Sequence, residues 1–507
     1  MLTILIFLPL AGALAVAFLP REREATIRWM GFGASLATLV AAAGIFMAFD
    51  PRSAGFQFVE RVPWVPSLGI GYSVGIDGIA LPLVCLTAVI FPLALLGSWE
   101  AITDRVKAFT VSMLGLETAV LGTFLSLDLI LFYVFWEAVL LPMAFLIGVW
   151  GSANRRYAAI KFFLYTMSAS VLMLVAIIVL HVIGVGRLGE RTFDLQRLAT
   201  LALPPATQMR LFAAFALAFA VKVPIWPLHT WLPDAHTEAP TAGSVILAAV
   251  LLKLGTFGFV RFGPTLFPQA LAASAPVLAG LAIIGILYGG AVSWAQRDLK
   301  RLVAFSSVSH LGFVMLGIAS LTVQGFQGGL VQMVNHGIST GALFLIVGLL
   351  YDRTHTREIA DFGGVAARMP RFAVIFTIVL LSSAALPGTN GFVGEILILL
   401  GAYRASTWWA ALGAGGVILS AVYLLWAYQR VMHGPLTAKE PDRLIEMTPR
   451  ELAVLVPLVV LIFVIGLYPK PLLDRSEAAV TAALSKISKP AASVLSSGGQ
   501  PHRGERQ

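Results

Sequence analysis

Stretches of about twenty apolar residues recur fourteen times along the 507-residue chain, and they limit its fold more than any other sequence feature. Each stretch is long enough to cross the hydrocarbon layer of a bilayer as a helix, where every backbone hydrogen bond must be satisfied internally. We therefore predict an all-α polytopic membrane protein with about 14 transmembrane helices. The predicted spans are 2–20, 28–48, 77–98, 108–126, 128–149, 158–183, 208–228, 241–262, 272–293, 299–319, 325–350, 371–400, 406–429 and 451–469.

Two of these spans contain residues that break helices. Pro224 and Pro227 interrupt the seventh span, and Pro387, Gly388 and Gly391 interrupt the twelfth. A broken helix at membrane depth is tolerated where it is buried in protein or lines a water-filled cavity. We therefore expect helices 7 and 12 to be discontinuous and to lie close to the functional site.

A weak internal repeat is also visible. An offset of 173 residues carries Glu137 onto His310, and Lys222 onto Glu395. Five spans fit within that offset, and an odd number of spans reverses the orientation of the second copy, as in many transporters. We predict a three-helix segment (1–107), a first five-helix repeat (108–262), an inverted second repeat (263–430), and a last helix with a periplasmic tail (431–507).

The composition favours lipid as the surrounding solvent. The chain is 58% hydrophobic and 12% charged, whereas a soluble domain carries about 25% charged residues. The single cysteine, Cys85, excludes a disulfide framework and thiolate-held iron–sulfur or zinc sites. The eight histidines lack ligand spacing, and no phosphate-binding glycine motif is present. We therefore expect no redox cofactor, no metal and no directly bound NADH on this chain.

The net charge of +9 is a topology signal, because lysine and arginine lie in short loops between apolar spans. Nucleic acid is therefore not an expected partner. The loops after spans 1, 3, 5, 9, 11 and 13 hold most of these residues, which predicts that this side is cytoplasmic. Both termini then face the periplasm or its equivalent, and the Ser-, Gly- and Pro-rich tail 488–507 is predicted to be disordered.

Two lysines lie near the centres of predicted spans. Lys222 follows more than ten mostly apolar residues, and Lys253 lies deep in the eighth span. A lone ammonium at such a depth costs roughly 3 kcal/mol or more, so it is retained for a reason. Burial makes the amine easier to deprotonate, which suits proton exchange. The alternative is a structural ion pair that locks two helices together.

Three glutamates occupy similar depths. Glu137 lies in the fifth span, and with Lys222 it would form a pair in which each charge controls the protonation of the other. Glu395 follows the break in the twelfth span and is expected to line a hydrated cavity. Glu117, in the fourth span, has small and polar neighbours, which also suit simple helix packing.

His310 and His336 lie in spans between Lys253 and Glu395. A histidine among serine and asparagine is often a satisfied core residue, but a proton relay between that lysine and that glutamate needs titratable groups in the gap. The segment HTWLPDAHTEAP, residues 229–240, is charged and is interpreted either as a solvated turn or as part of the site, because it follows the broken seventh span.

Several segments resemble one known family. The run AFAVKVPIWPLHTWLPDAHTEAPTAGSVILAAVLLKLG, with SVSHLGFVMLGI, VNHGISTGALF and ALPGTNGFVGEILIL, resembles the antiporter-like proton-translocating subunits of respiratory complex I and their Mrp antiporter relatives. The similarity covers about residues 75–430. It implies fourteen core helices, two inverted five-helix repeats and discontinuous helices 7 and 12.

The resemblance also implies residue roles. Glu137 and Lys222 match the family's glutamate and lysine of the fifth and seventh helices, and Lys253 matches the lysine that links two half-channels. Glu395 matches a twelfth-helix position where two of the three complex I members and the Mrp relatives are expected to have lysine. The implied partners are other membrane-arm subunits, including two sister antiporter-like subunits, and the lipid bilayer.

We therefore expect a proton-pumping subunit without redox chemistry of its own, using Glu137, Lys222, Lys253, His310, His336 and Glu395, with Glu117 as a further candidate. Two alternatives stay open. One is a cation/proton antiporter subunit that also carries Na⁺ or K⁺, and the other is a membrane scaffold that conducts nothing.

Overall fold

Helices form nearly all of the regular structure in the computed structural model, which describes residues 1–436 and 441–488. The tail predicted to be disordered, 488–507, lies outside the described residues except for Ser488. The first elements are α1 (Leu2–Phe18), α2 (Glu24–Ala48), β1 (Gln57–Val65), β2 (Ile70–Ile76) and α3 (Leu81–Gly97).

The first predicted repeat contains nine helical segments. They are α4 (Val106–Leu125), α5 (Leu129–Ala138), α6 (Leu140–Trp150), α7 (Arg155–Leu188), α8 (Leu195–Leu198), α9 (Pro205–Lys222), α10 (Trp231–Glu238), α11 (Thr241–Ile246) and α12 (Leu252–Leu266). A π-helical turn, Leu247–Leu251, makes α11 and α12 one continuous helix.

The remaining helices extend from the second predicted repeat to the last described residue. They are α13 (Pro268–Trp294), α14 (Leu299–Ala319), α15 (Val323–Thr354), α16 (Val365–Arg368), α17 (Pro370–Ser383), α18 (Asn390–Ala405), α19 (Thr407–Met432), α20 (Pro449–Leu467) and α21 (Lys470–Ser488).

The predicted class, a helical membrane protein, is confirmed. Among the described residues, ten helices are long and apolar enough to cross a membrane. Every predicted span coincides with a helix or a pair of helices, but α1, α3 and α17 are shorter apolar segments of 17, 17 and 14 residues. The breaks in the seventh and twelfth spans are present, between α9 and α10 and between α17 and α18.

Loops after odd-numbered spans gather at one end of the helix bundle. Hydrogen bonds join them in succession: Lys107 to Leu19, Trp150 to Asp104, Ser152 to Glu238, Lys300 to Ala239, Leu299 to Arg357 and Gly364 to His433. Loops after even-numbered spans meet at the other end, where Leu127 N–H donates to Ser73 and Phe193 N–H donates to Gly69. This alternation is what successive membrane crossings require.

Three helices form the centre of the bundle. In an apolar 18-residue stretch of the α11–α12 helix and of α14, 100% of the residues are buried, and in α15 94% are buried. Peripheral helices are far more exposed, because only 39% of the corresponding residues are buried in α7 and 22% in α20. The three central helices carry Lys253, His310 and His336, so these polar side chains are shielded from lipid by surrounding helices.

Two parts of the fold differ from the predictions. Residues 57–76 form a β-hairpin, β1–β2, whose turn places Gly69 at φ +75°. The predicted spans do not include this hairpin, because neither strand contains a long apolar run. The tail after the last span also begins with a further helix, α21, which buries Ala479, Val480 and Leu484 on one face.

Candidate functional site

Lys253 is the second residue after the π-helical turn and is fully buried. Its Nζ donates to the Ala248 carbonyl at 2.5 Å and lies 2.6 Å from Nδ1 of His336. π-turns are rare and occur often at functional sites, because they shift the backbone hydrogen bonds by one residue. The turn therefore places a backbone acceptor beside the lysine, and α15 supplies the second partner.

The rings of His336, on α15, and His310, on α14, lie close together. Their ring centroids are 5.9 Å apart with an interplanar angle of 60°, and both side chains are buried. His310 Nδ1 lies 3.2 Å from Oε1 of Glu395, on α18. Lys253, His336, His310 and Glu395 thus form one buried series from the eighth span to the twelfth, which we call the second-half chain.

Polar neighbours hold the far end of the second-half chain. Gln332 Nε2 donates to Oε1 of Glu395 at 3.1 Å, and the Tyr423 hydroxyl lies 3.4 Å from Nε2 of His310. Glu395 is only 2% exposed, and among the described residues its Oε2 has no hydrogen-bond partner. One carboxylate oxygen is therefore fixed and the other is available.

Two glycines allow the helices to approach closely beside these residues. A Cβ at Gly337, next to His336, would lie 2.8 Å from the Ala249 carbonyl, and a Cβ at Gly394, next to Glu395, would lie 2.2 Å from Oε1 of Gln332. A Cβ would therefore press on the backbone of the neighbouring helix at Gly337 and displace the Gln332 side chain at Gly394. The short contacts of the second-half chain therefore depend on these glycines.

A small cavity of about 10 Å³ lies between the two histidines, close to the volume that one water molecule needs. Ser339, Ser382 and Ser383 line it together with Asn335. Within the described part of the chain, Nε2 of His336, Oδ1 of Asn335 and Oγ of Ser383 have no hydrogen-bond partner. The cavity thus has both the size and the polar groups that suit one bridging water.

The chemistry of the second-half chain follows from its donors and acceptors. An ammonium only donates, an ionised carboxylate only accepts, and a neutral imidazole does one at each nitrogen. A proton on Nζ of Lys253 can therefore pass to Nδ1 of His336, and a proton on Nδ1 of His310 can pass to Glu395. The step between the histidines is the only one without a direct hydrogen bond.

Lys222 and Glu137 lie within electrostatic range of each other, and among the described residues no direct salt bridge joins them. Lys222 is 2% exposed and its Nζ lies 4.7 Å from the indole centroid of Trp136, the residue before Glu137. Among the described residues, neither Lys222 Nζ nor Oε1 of Glu137 has a hydrogen-bond partner. The indole occupies the position beside the lysine, so a cation–π contact takes the place of a direct ion pair.

The helix break explains why Lys222 ends α9. Pro224 has no N–H, so the Ala220 carbonyl accepts instead from Ile225 N–H at 2.9 Å. The Val221 carbonyl then accepts from the indole N–H of Trp231 at 2.9 Å. Lys222 is thus the last residue before its break, whereas Glu395 follows its own break.

Glu117 lies apart from the second-half chain. Its carboxyl group is completely buried in α4. The Ser35 side chain of α2 lies close enough to interact with it. The structure thus places this acid between α4 and α2, beside the three N-terminal helices.

The segment 229–240 is not a solvated turn, because most of it forms the buried half-helix α10. His236 is 0% exposed and stacks on Phe344 with centroids 4.6 Å apart. It lies within electrostatic range of Lys253 and of Lys300. The sequence analysis leaves open whether the segment that contains His236 belongs to the site, and it does not single out Lys300.

Lys300 marks the end of the bundle where odd-numbered loops meet. It is 7% exposed, and its Nζ donates to the Ala239 carbonyl at 2.5 Å. Nearby, Lys161 and Asp234 form an ion pair at 2.7 Å. Charged groups thus extend from this end of the bundle through His236 towards Lys253.

Comparison with known proteins identifies one family. The model described as "NADH:quinone oxidoreductase/Mrp antiporter, TM" matches residues 126–421. Subunit M of the NADH-quinone oxidoreductase of Rhodobacter capsulatus is 44% identical over 94% of both chains. Chain 4 of the NADH-ubiquinone oxidoreductase of Arabidopsis thaliana is 42% identical over 94% of this chain and 95% of that one.

Solved structures share the fold. A chain of respiratory complex I from Thermus thermophilus superposes with a TM-score of 0.87 at 31% identity, covering 96% of this chain and all of that one. A chain of the Mrp complex of a Dietzia species gives a TM-score of 0.81 at 23% identity, covering 94% of this chain and 52% of that one. The second likeness concerns the fold alone.

Proposed function

This chain belongs to the NADH:quinone oxidoreductase/Mrp antiporter membrane family, and from that membership we propose that it is a proton-translocating membrane-arm subunit of an NADH-quinone oxidoreductase, the role of the relatives named subunit M and chain 4. Quinone reduction takes place elsewhere in the complex, and this chain carries no redox cofactor. The second-half chain is the observation that supports this proposal, because it joins four titratable side chains inside the bundle.

Protons move along the second-half chain by short transfers. Lys253 passes its proton to Nδ1 of His336, and a water in the polar cavity carries a proton from Nε2 of His336 towards His310. His310 then passes a proton to Glu395. One passage leaves both imidazoles in the opposite tautomer, so each ring must move its proton back to the other nitrogen, Lys253 must be reprotonated and Glu395 must release its proton before the next transfer.

Uptake occurs at the end of the bundle that carries Lys300 and His236. The loops at this end hold most of the lysine and arginine, which favours a cytoplasmic location and places both termini in the periplasm of a bacterial inner membrane. His236 lies within electrostatic range of both Lys300 and Lys253, and it is fully buried. It is therefore suited to carry protons from the cytoplasm to the second-half chain.

Lys222 and Glu137 control the second-half chain electrostatically. Lys222 Nζ and Oε1 of Glu137 have no hydrogen-bond partner among the described residues, and the two charges interact through space. Glu137 is partly exposed on a side of the bundle where Val134 and Leu141 are 42% and 57% exposed. A carboxylate on such an apolar face requires cover at membrane depth. A neighbouring membrane-arm subunit, such as a sister antiporter-like subunit, provides that cover and changes the charge balance during turnover.

The finer architecture belongs to the same proposal. We assign fourteen crossings, with the broken pairs α9–α10 and α17–α18 as the seventh and twelfth, in the units 1–107, 108–262, 263–430 and 431–507. Matching caps support the two inverted repeats. Asp128 caps α5 and bridges to Asp194, and Asp298 caps α14 and bridges to Glu358.

The test is His336→Ala in the assembled complex, with His355→Ala as its matched control. His355 follows the same helix, α15, and is exposed. We expect His336→Ala to lower NADH-driven proton pumping by at least about tenfold with normal assembly, and His355→Ala to pump as the wild type does. Full pumping by His336→Ala would overturn the proposed path. Collapse of a pH gradient on Na⁺ addition would instead favour the antiporter function, and unchanged pumping after loss of all four groups would favour a scaffold.

A further inference from the structure

A cavity of about 380 Å³ opens at the end of the bundle where the β-hairpin lies. Its walls come from the segment before β1, the residues around α8, the end of α12 and the helix α21. Such a volume is in the range of small-molecule sites. None of the proposed proton-transfer residues line it.

A buried ion pair forms the floor of this cavity. Arg261 donates through NH1 and NH2 to the two oxygens of Asp77 at 2.5 and 2.6 Å, and the two residues are 5% and 4% exposed. Oδ1 of Asp77 also accepts from the backbone N–H groups of Ile79 and Ala80. The pair is neutral overall, and the carboxylate is fully engaged.

Donors remain available around this pair. A guanidinium has five N–H bonds, and Arg261 uses two of them on Asp77. The side-chain oxygen of Gln196 accepts from Arg61 at 2.5 Å, which leaves the amide hydrogens of Gln196 free to donate. The Arg261 guanidinium is also held between the rings of Phe56 and Phe257, with its carbon 5.0 Å from each centroid. The floor is therefore rigid and rich in donors.

Lys486 gives the cavity an uncompensated positive charge. It lies on α21 at the mouth, and among the described residues no acidic group pairs with it. Partial loss of hydration and repulsion by Arg261 lower the pKa of Lys486, although Asp77 partly offsets them. Asp77, Arg261 and Lys486 are the charged residues in the described lining, so the site carries one net positive charge.

We propose that this cavity binds a phosphate-bearing anion, with Lys486 and the spare donors of Arg261 and Gln196 contacting the phosphate oxygens. Arginine and lysine together favour phosphate over a neutral ligand, because charge-assisted hydrogen bonds are roughly twice as strong as neutral ones. The cavity joins the hairpin, α12 and α21, so its occupant links the last helix to the bundle.

The phosphate comes either from a phospholipid headgroup or from free phosphate. Arg261 lies near the end of a membrane-spanning helix, and α21 packs its apolar face on the bundle, so the cavity lies at a depth where headgroups occur. Apolar side chains such as Val260 and Ala483 in the lining would contact the first carbons of a lipid. Free phosphate has no alkyl chain that would contact this apolar surface.

The test uses the purified complex that contains the full chain, with soluble short-chain phosphatidylglycerol and inorganic phosphate as separate probes. Lys486→Ala is compared with Lys470→Ala, a lysine on the same helix that is exposed and pairs with Asp474. We expect Lys486→Ala to bind phosphatidylglycerol at least about tenfold more weakly, equivalent to one charge-assisted contact. Lys470→Ala is expected to bind as the wild type does, and Lys486→Arg to retain binding.

The two sources give different results. Binding of phosphatidylglycerol that inorganic phosphate displaces only at high concentration supports the headgroup, whereas tight binding of inorganic phosphate that Lys486→Ala abolishes supports free phosphate. Equal binding of both probes by Lys486→Ala and by the wild type would overturn the proposal, as would absence of binding to the wild type. Mass spectrometry of co-purified lipid provides a second readout, with one phospholipid fewer per complex expected in Lys486→Ala.

Discussion

The second-half chain and the pair Lys222–Glu137 use their buried charges differently. In the second-half chain, Lys253 contacts a histidine at 2.6 Å and Glu395 contacts another at 3.2 Å. Lys222, by contrast, lies against an indole ring, and Glu137 is within electrostatic range of it without a direct ion pair. The same residue types thus form a hydrogen-bonded series in one group and interact through space in the other.

This difference separates two ways of using a charge. A hydrogen-bonded series can transfer a proton directly, because donor and acceptor are already in reach. An isolated charge acts through its field, which is strong where water is excluded. The pair Lys222–Glu137 is therefore suited to sense a change in a neighbour and the second-half chain to move protons in response, which gives each group a separate function.

The largest predicted effect distinguishes the two lysines by the same substitution, Lys→Arg. Arginine keeps the positive charge but does not release its proton in proteins. Lys253→Arg should therefore lower proton pumping by at least about tenfold, because Lys253 must pass its proton to His336. Lys222→Arg should retain at least about half of the wild-type rate, because a guanidinium also stacks well on Trp136. The measurement is NADH-driven acidification of vesicles.

Assembly must be measured in parallel, since Lys253 is completely buried and arginine is larger. Lys253→Met removes the proton without adding bulk and is expected to lose pumping to the same degree. Equal losses of proton pumping in Lys222→Arg and Lys253→Arg, with normal assembly, would show that both lysines, or neither of them, must release a proton.

A smaller effect is predicted for Gly394→Ala. The added methyl group would lie 2.2 Å from Oε1 of Gln332 and would displace the side chains that hold Glu395. Overpacking of this kind costs about 1–3 kcal/mol, so the free energy of unfolding should fall by that amount. Pumping should fall by a few-fold, because the carboxylate is moved and not removed.

Gly33→Ala is the matched control for this change, because nothing lies within 4 Å of a Cβ at Gly33. It should leave thermal stability and pumping unchanged. If Gly394→Ala behaved in the same way, the close approach of α15 and α18 would not be needed to position Glu395.

Much of this architecture could be predicted from the sequence. Apolar runs of about twenty residues predict spans that each coincide with a helix or a pair of helices, and Pro224 and Pro387 predict the two breaks. Both signals are local in the sequence. The depth of Lys253 and Glu395 within these runs also identified them as candidates. The hairpin and α21 were missed, because half-polar segments lack such runs.

Contacts between helices could not be read from the chain. The sequence paired Lys222 with Glu137 on charge alone, but whether Trp136 or Glu137 faces Lys222 depends on helix rotation and packing. His236 was treated as part of a possible surface turn, because its burial arises from Phe344, more than one hundred residues away. Conversely, the series through His310 and His336 was proposed from sequence, and the structure places these residues side by side.

The most direct measurement of proton transfer through the second half is the number of protons pumped per NADH oxidised by Glu395→Gln in the assembled complex. Glutamine has nearly the shape of glutamate and can still hydrogen-bond to His310 and Gln332, but it does not accept a proton. We predict that this ratio falls below the wild-type value while the complex assembles normally. A wild-type ratio in Glu395→Gln would contradict proton transfer through this chain of residues.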